Sequence, residues 1–219
     1  MGKINRNKYS LKKMLLGESC QVLGYSVNSK IAKAIEKLEN EQMRIVVNKI
    51  NSYNSNTLNV VLIDKSRKQV GNIDAIIDNN YLPCNDAYIV RGSFINASLQ
   101  GTGLGALLYD VAIENSGDAG LTSDRDVVST DAERMWQYFD RSSDYTSLPF
   151  DTPENEFTPD NYADDCDALP YQSYEGLYDD YGSKEQFQDS FFNKSFYKLD
   201  KSMATTNCLK EKGLLSFDS

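Results

Sequence analysis

The fold of this chain is decided by the stretch Leu99-Gln100-Gly101-Thr102-Gly103-Leu104-Gly105-Ala106. It follows a run typical of a strand, residues 87–95, and precedes residues 104–112, whose apolar side chains recur with helical spacing. A glycine-rich turn between a strand and a helix lets a ligand approach the main chain closely, and the helix N-terminus adds partial positive charge. The stretch therefore predicts an anion cradle suited to a pyrophosphate.

Two ligand-binding patterns fit the same glycines. The dinucleotide fingerprint G-x-G-x-x-G/A fits Gly101, Gly103 and Ala106. The motif Q/R-x-x-G-x-G/A fits Gln100, Gly103 and Gly105, and in this the chain resembles the GNAT superfamily of N-acetyltransferases, which bind acetyl-CoA. Short glycine motifs also recur by chance, so an ordinary glycine-rich helix start is the third interpretation.

The sequence before the loop favours the resemblance to GNAT over the dinucleotide fingerprint. The first strand of a dinucleotide-binding fold is buried on both faces and should be almost wholly apolar. Here Arg91, Ser93 and Asn96 interrupt the run. That fold also expects several strand–helix units downstream, and the sequence shows only one.

The sequence after the loop adds a second landmark. Residues 129–136 resemble the family's next helix, N-x-x-A-x-x-L-Y, with Ser129 or Thr130 as its N-cap. Trp136 stands where that pattern has Tyr. The resemblance covers residues 55–139, and the run 123–139 is also similar to GNAT-like proteins encoded by tailed bacteriophages.

The resemblance implies an α/β (α+β) fold, with a mixed, mostly antiparallel sheet flanked by helices. We expect a basic N-terminal arm over residues 1–28 and an acyl-CoA-binding core over residues 29–145. Residues 146–219 are predicted to form an irregular acidic extension, rich in Pro and Tyr. Within that extension we expect a late strand over residues 191–199 and a closing helix over residues 203–212.

The sequence before the glycine loop predicts further elements. Apolar spacing favours helix over residues 29–53, broken near Glu39-Asn40-Glu41. Residues 59–64 and 70–77 read as two strands that form a hairpin, because the polar turn Lys65-Ser66-Arg67-Lys68 separates them.

Composition narrows the function classes. The 219 residues carry a net charge of −9, which disfavours sequence-independent binding of nucleic acid and suits a cationic partner such as an amine or a lysine-rich protein. No residue is His, which removes the commonest general base, and the four Cys are scattered, which argues against a zinc site and against a disulfide scaffold. We expect no metal and no membrane partner. Because Met14-Leu15-Leu16 is too short for a signal-peptide core, we expect a cytoplasmic protein, in a bacterial host if phage-encoded, with a virion location as the alternative.

The resemblance implies an acetyl-CoA-dependent N-acyltransferase that moves an acetyl group to an amine. The alternative is a catalytically inactive GNAT-fold protein with a phage structural or host-interaction role. Catalytic candidates are Tyr138, Asp124 and Glu114, and Tyr109 and Tyr145 are further phenols without a predicted place. The cofactor-binding residues that the resemblance implies are Phe94, Ile95, Asn96, Gln100, Gly101, Thr102, Gly103, Leu104, Gly105 and Ala106.

Overall fold

A computed structural model describes residues 20, 24–52, 55–78, 87–124, 128–149, 194–198 and 202–218. The predicted basic arm up to residue 19 and the acidic residues 150–193 lie outside this part of the chain. The elements, numbered along the chain, are α1 (Ser29–Asn40), β1 (Arg44–Asn51), β2 (Ser55–Ile63), β3 (Gln69–Asp78), β4 (Tyr88–Ile95), α2 (Leu104–Ser116), β5 (Leu121–Thr122), α3 (Thr130–Arg141), β6 (Tyr145–Pro149), β7 (Lys194–Lys198), α4 (Ala204–Glu211) and β8 (Leu215–Asp218).

The eight strands form one sheet in the order β6-β7-β5-β4-β3-β2-β1-β8. Strands β4 and β5 are parallel, as are β1 and β8, and the other neighbours are antiparallel. The predicted α/β class with a mixed, mostly antiparallel sheet is therefore confirmed. A doubly wound parallel sheet, which the dinucleotide fingerprint requires, is not the architecture of this chain.

The core lies between one face of the sheet and the central helix α2. Buried and less buried side chains alternate along β2, and its buried residues meet buried residues of β1 and β3, as in the pairs Ile45↔Leu62 and Val60↔Ile73. Every residue of α2 is buried except Gly105. The start of α2 is thus the place where this helix reaches the surface.

The predicted helix over residues 29–53 is correct only in its first half. Helix α1 ends at Asn40, where the break was expected, but residues 44–51 form strand β1. Gln42, with φ of 56°, turns the chain between the two elements. Strand β1 then pairs with β2 on one side and β8 on the other. This pairing of the main chain outweighs the helical spacing of its apolar residues.

The hairpin β2–β3 confirms the prediction for residues 59–77. Asp64 shapes its turn, since its carboxylate accepts hydrogen bonds from the N–H groups of Ser66 at 2.8 Å and Lys68 at 3.0 Å. Arg67 takes the left-handed conformation there, with φ of 62°.

The C-terminal part of the chain returns to the same sheet. Strand β7 and helix α4 lie within the ranges predicted for the late strand and closing helix, and β8 adds an edge strand that the sequence did not predict. A disulfide joins Cys208 of α4 to Cys20. The scattered spacing of the cysteines, which argues against a disulfide scaffold, does not predict this bridge, because only the folded chain brings residues 188 positions apart to a Cα–Cα distance of 5.5 Å.

Candidate functional site

The glycine loop starts from an anchored end of β4. The N–H of Asn96 donates to the carbonyl of Val70 at 2.8 Å, and the Asn96 side chain accepts from the N–H of Ser98 at 3.2 Å. A single 3₁₀ turn, Ala97–Leu99, follows, and the Thr102 hydroxyl donates back to the Leu99 carbonyl at 2.5 Å. The loop is therefore held by its own hydrogen bonds.

The glycines of this loop have different structural roles. Gly101 and Gly103 are left-handed, with φ of 72° and 86°, which side chains other than glycine adopt at a cost. Gly105 lies in the first turn of α2 with an ordinary backbone, and a Cβ placed there meets no atom within 4 Å. The surface beside Gly105 is therefore open main chain.

The first turn of α2 presents unused donors. Its first helical hydrogen bond runs from the N–H of Leu107 to the carbonyl of Gly103, so the N–H groups of Leu104, Gly105 and Ala106 precede the helical ladder. Gly103 is the N-cap residue and has no side chain to cap them. Together with the helix dipole, these donors suit a phosphate or another anion.

The pairing of β4 with β5 ends early. Strands β4 and β5 pair only at Tyr88↔Leu121 and Ile89↔Thr122, whereas β4 continues to Ile95. Arg91 is an extra residue on β4, because Asp74 pairs with Gly92 and the next residue, Ala75, pairs with Val90. We call the stretch beyond Ile89 and Thr122, where β4 and β5 are no longer paired, the splay.

Three hydroxyl groups border the splay, and the sequence did not single out Ser93 and Ser123 among them. The phenol of Tyr109 on α2 donates to the Ser93 hydroxyl on β4 at 3.0 Å. Burial raises the pKa of Tyr109, while the bond to Ser93 lowers it, and the net direction is upward. Ser123 directly follows β5, and its hydroxyl is buried without a hydrogen-bond partner in the described structure. An unpaired buried hydroxyl is unusual and suits a polar ligand.

Lys30 is a further residue that the sequence did not single out. Its carbonyl lies 3.7 Å from a Cβ placed on Gly103, so the first turn of α1 adjoins the start of α2. The ammonium of Lys30 lies over the Tyr138 ring, 3.7 Å from its centre, and burial lowers the pKa of this lysine. The main chain of Lys30 thus lies near the start of α2, while its ammonium contacts Tyr138 on α3.

The residues predicted to bind the cofactor lie in two places, the loop with the first turn of α2 and the end of β4. Residues 100–106 form the loop and the first turn of α2 described above. At the end of β4, the N–H of Asn96 is already bound to β3, and because bonded and unbonded pairs alternate in an antiparallel ladder, Phe94 also turns its main chain to β3. Ile95 and Ser93 turn theirs to the splay. Phe94 instead exposes 48% of its surface.

The three catalytic candidates lie in three different places. Asp124 borders the splay, where one of its carboxylate oxygens is 3.6 Å from Nη1 of Arg91. Tyr138 lies beside the N-terminus of α1, where its hydroxyl accepts from the amide of Asn28 at 3.4 Å. Glu114 is buried and roughly 16 Å along α2 from Gly103, at 1.5 Å per residue. The structure thus places this candidate in the interior, away from the start of α2.

Trp136 belongs to the core. It is 1% exposed, and its ring packs against Tyr109, Phe139 and Phe196 with centroid separations of 5.2, 6.2 and 5.3 Å. The cap of α3 was predicted correctly, since the Ser129 hydroxyl accepts from the N–H of Ala132 at 3.3 Å. The phenol nearest the splay thus comes from Tyr109 on α2.

Comparison with known proteins adds one solved structure. Neither a protein-family model nor a curated protein matches the sequence. A crystal structure of an acetyltransferase of the GNAT family from Staphylococcus aureus Mu50 matches 71% of this chain and 86% of that chain, with 16% identity and a TM-score of 0.30. An overlap of this quality carries no weight for the fold or the activity.

The described part of the chain shows neither a membrane-spanning helix nor a cluster of metal ligands. None of the helices in this part of the chain is both long enough and apolar enough to cross a membrane. No group of three or more His, Cys, Asp or Glu among the same residues is placed to hold a metal ion.

Proposed function

We propose that this chain is an acetyl-CoA-dependent N-acyltransferase that moves an acetyl group to an amine. The observation that carries the proposal is the start of α2: uncapped N–H groups and an open Gly105 lie directly beside the splay of two parallel strands. An anion-binding main chain next to an unpaired strand edge bordered by polar side chains fits a ligand that has a pyrophosphate at one end and a polar amide chain at the other.

Different residues would bind different parts of the cofactor. The N–H groups of Leu104, Gly105 and Ala106 would hold the pyrophosphate. The main chain of Ile95 would pair with the amide groups of the pantetheine chain, and the buried Ser123 hydroxyl would gain a partner there.

The chemistry requires a neutral amine, a positioned thioester and a proton for the departing thiolate. The amine nitrogen forms a bond to the acetyl carbon, the carbon–sulfur bond breaks, and the amine releases one proton to water. We propose that Tyr109 donates the proton to sulfur and recovers a proton from water. The phenol is protonated at neutral pH, since its pKa lies above the ordinary tyrosine value, and it therefore carries the proton to be donated.

Calorimetric titration with acetyl-CoA, CoA and NAD tests the binding site. We expect acetyl-CoA and CoA to bind and NAD not to bind. Gly105→Val should abolish binding while thermal unfolding stays cooperative, because its side chain fills the space above the first-turn N–H groups without left-handed strain. Ser98→Val, in the neighbouring 3₁₀ turn, is the matched control and should bind as the natural chain does. Undiminished affinity in folded Gly105→Val would refute the site.

Turnover tests the role of Tyr109. The probes are spermidine and a lysine-rich peptide, with release of the CoA thiol as the readout. Tyr109→Phe should lower kcat about 100-fold, as expected for loss of a general acid, and leave acetyl-CoA binding in place. Ser93→Ala removes the same hydrogen bond but keeps the phenol, so it should retain most activity. Equal losses in the two variants would show that Tyr109 acts only through structure.

The second candidate function is a GNAT-fold protein without catalysis, with a phage structural or host-interaction role. Trp136 favours it, since a buried indole replaces the phenol of the family pattern and cannot deliver a proton. Binding of acetyl-CoA without thiol release for any amine would support this candidate over the enzyme.

A further inference from the structure

A second group of ionisable side chains lies in the interior, away from the splay. Nζ of Lys198 on β7 is 2.5 Å from Oδ1 of Asp110 and 3.7 Å from Oε1 of Glu114, both on α2. The Tyr145 hydroxyl on β6 donates to the same Asp110 oxygen. The two carboxylate side chains are fully buried and that of Lys198 is 9% exposed. We call Asp110, Glu114 and Lys198 the buried triad.

The triad holds the N-terminus of α4. Oε1 and Oε2 of Glu114 accept hydrogen bonds from the N–H groups of Thr205 at 3.0 Å and Thr206 at 2.7 Å. Met203, the N-cap residue of α4, makes no side-chain cap bond. The amide of Asn115 donates to the Thr206 hydroxyl at 3.0 Å. A glutamate from another helix thus does what a capping side chain normally does.

The region is short of hydrogen-bond donors. Oδ2 of Asp110, Oδ1 of Asn115 and the Thr205 hydroxyl are buried and lack a partner, and the described structure has only one other such atom, on Ser123. The first two can only accept. One additional proton on a carboxyl would supply a donor to this group of acceptors.

The charges also leave room for one proton. Two ionised carboxyls and one ammonium sum to a net charge of −1, and a buried net charge is costly. Among the described residues, the other titratable groups that act on the triad are Tyr145 on β6, Asp144 just before it and Tyr138 on α3, and none of these is a cation. Protonation of one carboxyl makes the triad neutral.

The directions of the pKa shifts agree with this count of charges. Burial raises the pKa of Glu114, and the charge of Asp110 raises it further, to about 7, although Lys198 and the N–H groups of Thr206 and Thr205 act in the opposite direction. Burial lowers the pKa of Lys198, but Asp110 and Glu114 raise it by more, so the ammonium keeps its charge.

We propose that the buried triad is a proton-operated clasp for the C-terminal unit, α4 and β8. With one carboxyl protonated the triad is neutral and holds the start of α4 against α2. Loss of that proton leaves a buried negative charge and loosens α4 together with β8, which pairs with β1 at the edge of the sheet. The clasp is independent of the proposed acetyl transfer.

The sign follows from proton linkage. In an opened C-terminal unit Glu114 returns toward its ordinary pKa of 4.5, whereas in the closed unit it is about 7. The closed unit therefore binds the proton more tightly, its extra stability is full below pH 4.5, and that stability is lost as the pH rises through 7. Between pH 6 and pH 8, opening should become roughly tenfold more favourable.

Hydrogen–deuterium exchange of the full chain, read by mass spectrometry, tests the clasp. Protection of peptides over residues 204–218 is measured at pH 6, 7 and 8 and corrected for the intrinsic pH dependence of exchange. We expect a roughly tenfold loss of protection in these peptides and a constant value over β2. Measurements with and without reductant separate the clasp from the disulfide of Cys208.

Two variants test whether the triad causes the loss of exchange protection. Glu114→Gln cannot ionise, and Asp110→Asn leaves a neutral pair of Glu114 and Lys198, so both should remove the pH dependence. Glu36→Gln on α1 is the matched control and should keep it. The proposal is overturned if protection in the natural chain does not depend on pH. It is also overturned if protection in Asp110→Asn depends on pH as strongly as in the natural chain. If Glu114→Gln does not fold, Asp110→Asn decides by itself.

Discussion

At the scale of single residues, Gly103 and Gly105 match the same motif in the sequence but have different roles in the structure. Gly103 needs a left-handed backbone, whereas Gly105 sits in ordinary helix with open space around its Cα. The motif names both, but only the backbone angle shows that one shapes the turn and the other leaves the main chain uncovered. Mutations at the two positions should therefore differ in stability as well as in ligand binding.

Alanine at each position makes the difference measurable. Gly103→Ala should lower the free energy of unfolding by about 1–2 kcal/mol, since alanine is strained at φ of 86°. Gly105→Ala should raise it by about 0.5–1 kcal/mol, because alanine favours helix and loses less backbone entropy. Urea unfolding of both variants beside the natural chain gives the comparison. Shifts of the same sign would contradict the assigned roles.

Ser93 and Ser123 show what a residue-level motif leaves out. Neither residue belongs to the glycine pattern, and serines are common in loops. The structure singles them out because the pairing of β4 with β5 ends before them, and the Ser123 hydroxyl is buried without a hydrogen-bond partner among the described residues. The signal for such residues is polar side chains near the ends of two adjacent parallel strands, and it needs the strand register to be read.

At the scale of elements, local patterns predicted what local contacts decide. The glycine loop, helix α2, the hairpin and the cap of α3 are correct because turn chemistry, capping and short-range spacing determine them. Strand β1 was missed for the opposite reason. Val46, Val47 and Ile50 fit a helical stripe, but β-branched side chains also suit a strand, and pairing with β2 and β8 decides between them.

The C-terminal elements show the same division. The spacing in residues 203–212 predicted α4, but nothing in its sequence indicates that Glu114, about ninety positions earlier, caps it. Lys198 likewise has no local sign of its two carboxylate partners. The buried triad depends on contacts between residues far apart in the chain, and for that reason the sequence alone did not predict it.

At the scale of the whole molecule, the N-terminal end of the described chain is attached to α4, which lies near its C-terminal end. Cys20 is bonded to Cys208, and the Tyr25 hydroxyl donates to Glu211 at 2.6 Å. Both cysteines are buried, Cys208 completely. The bridge also bears on the predicted cytoplasmic location, which stays a prediction, since disulfides persist mainly in oxidising compartments.

The disulfide should therefore contribute to the stability of the whole chain. Because it closes a ring across 188 positions, its loss releases the unfolded chain over nearly its full length, and we expect reductant to lower the free energy of unfolding by about 2–5 kcal/mol. Guanidinium unfolding with and without reductant measures this difference. Alkylation before and after reduction, mapped to peptides, identifies the thiols that are released.

The double variant Cys20→Ala with Cys208→Ala separates the bridge from other effects of reductant. It should unfold at the lower stability in both conditions and no longer respond to reductant, since alanine leaves no buried polar atom behind. The natural chain should keep the pH dependence of α4 protection when reduced, because the buried triad does not involve sulfur. If reduction alone abolished that pH dependence, the bridge and not the triad would hold the C-terminal unit.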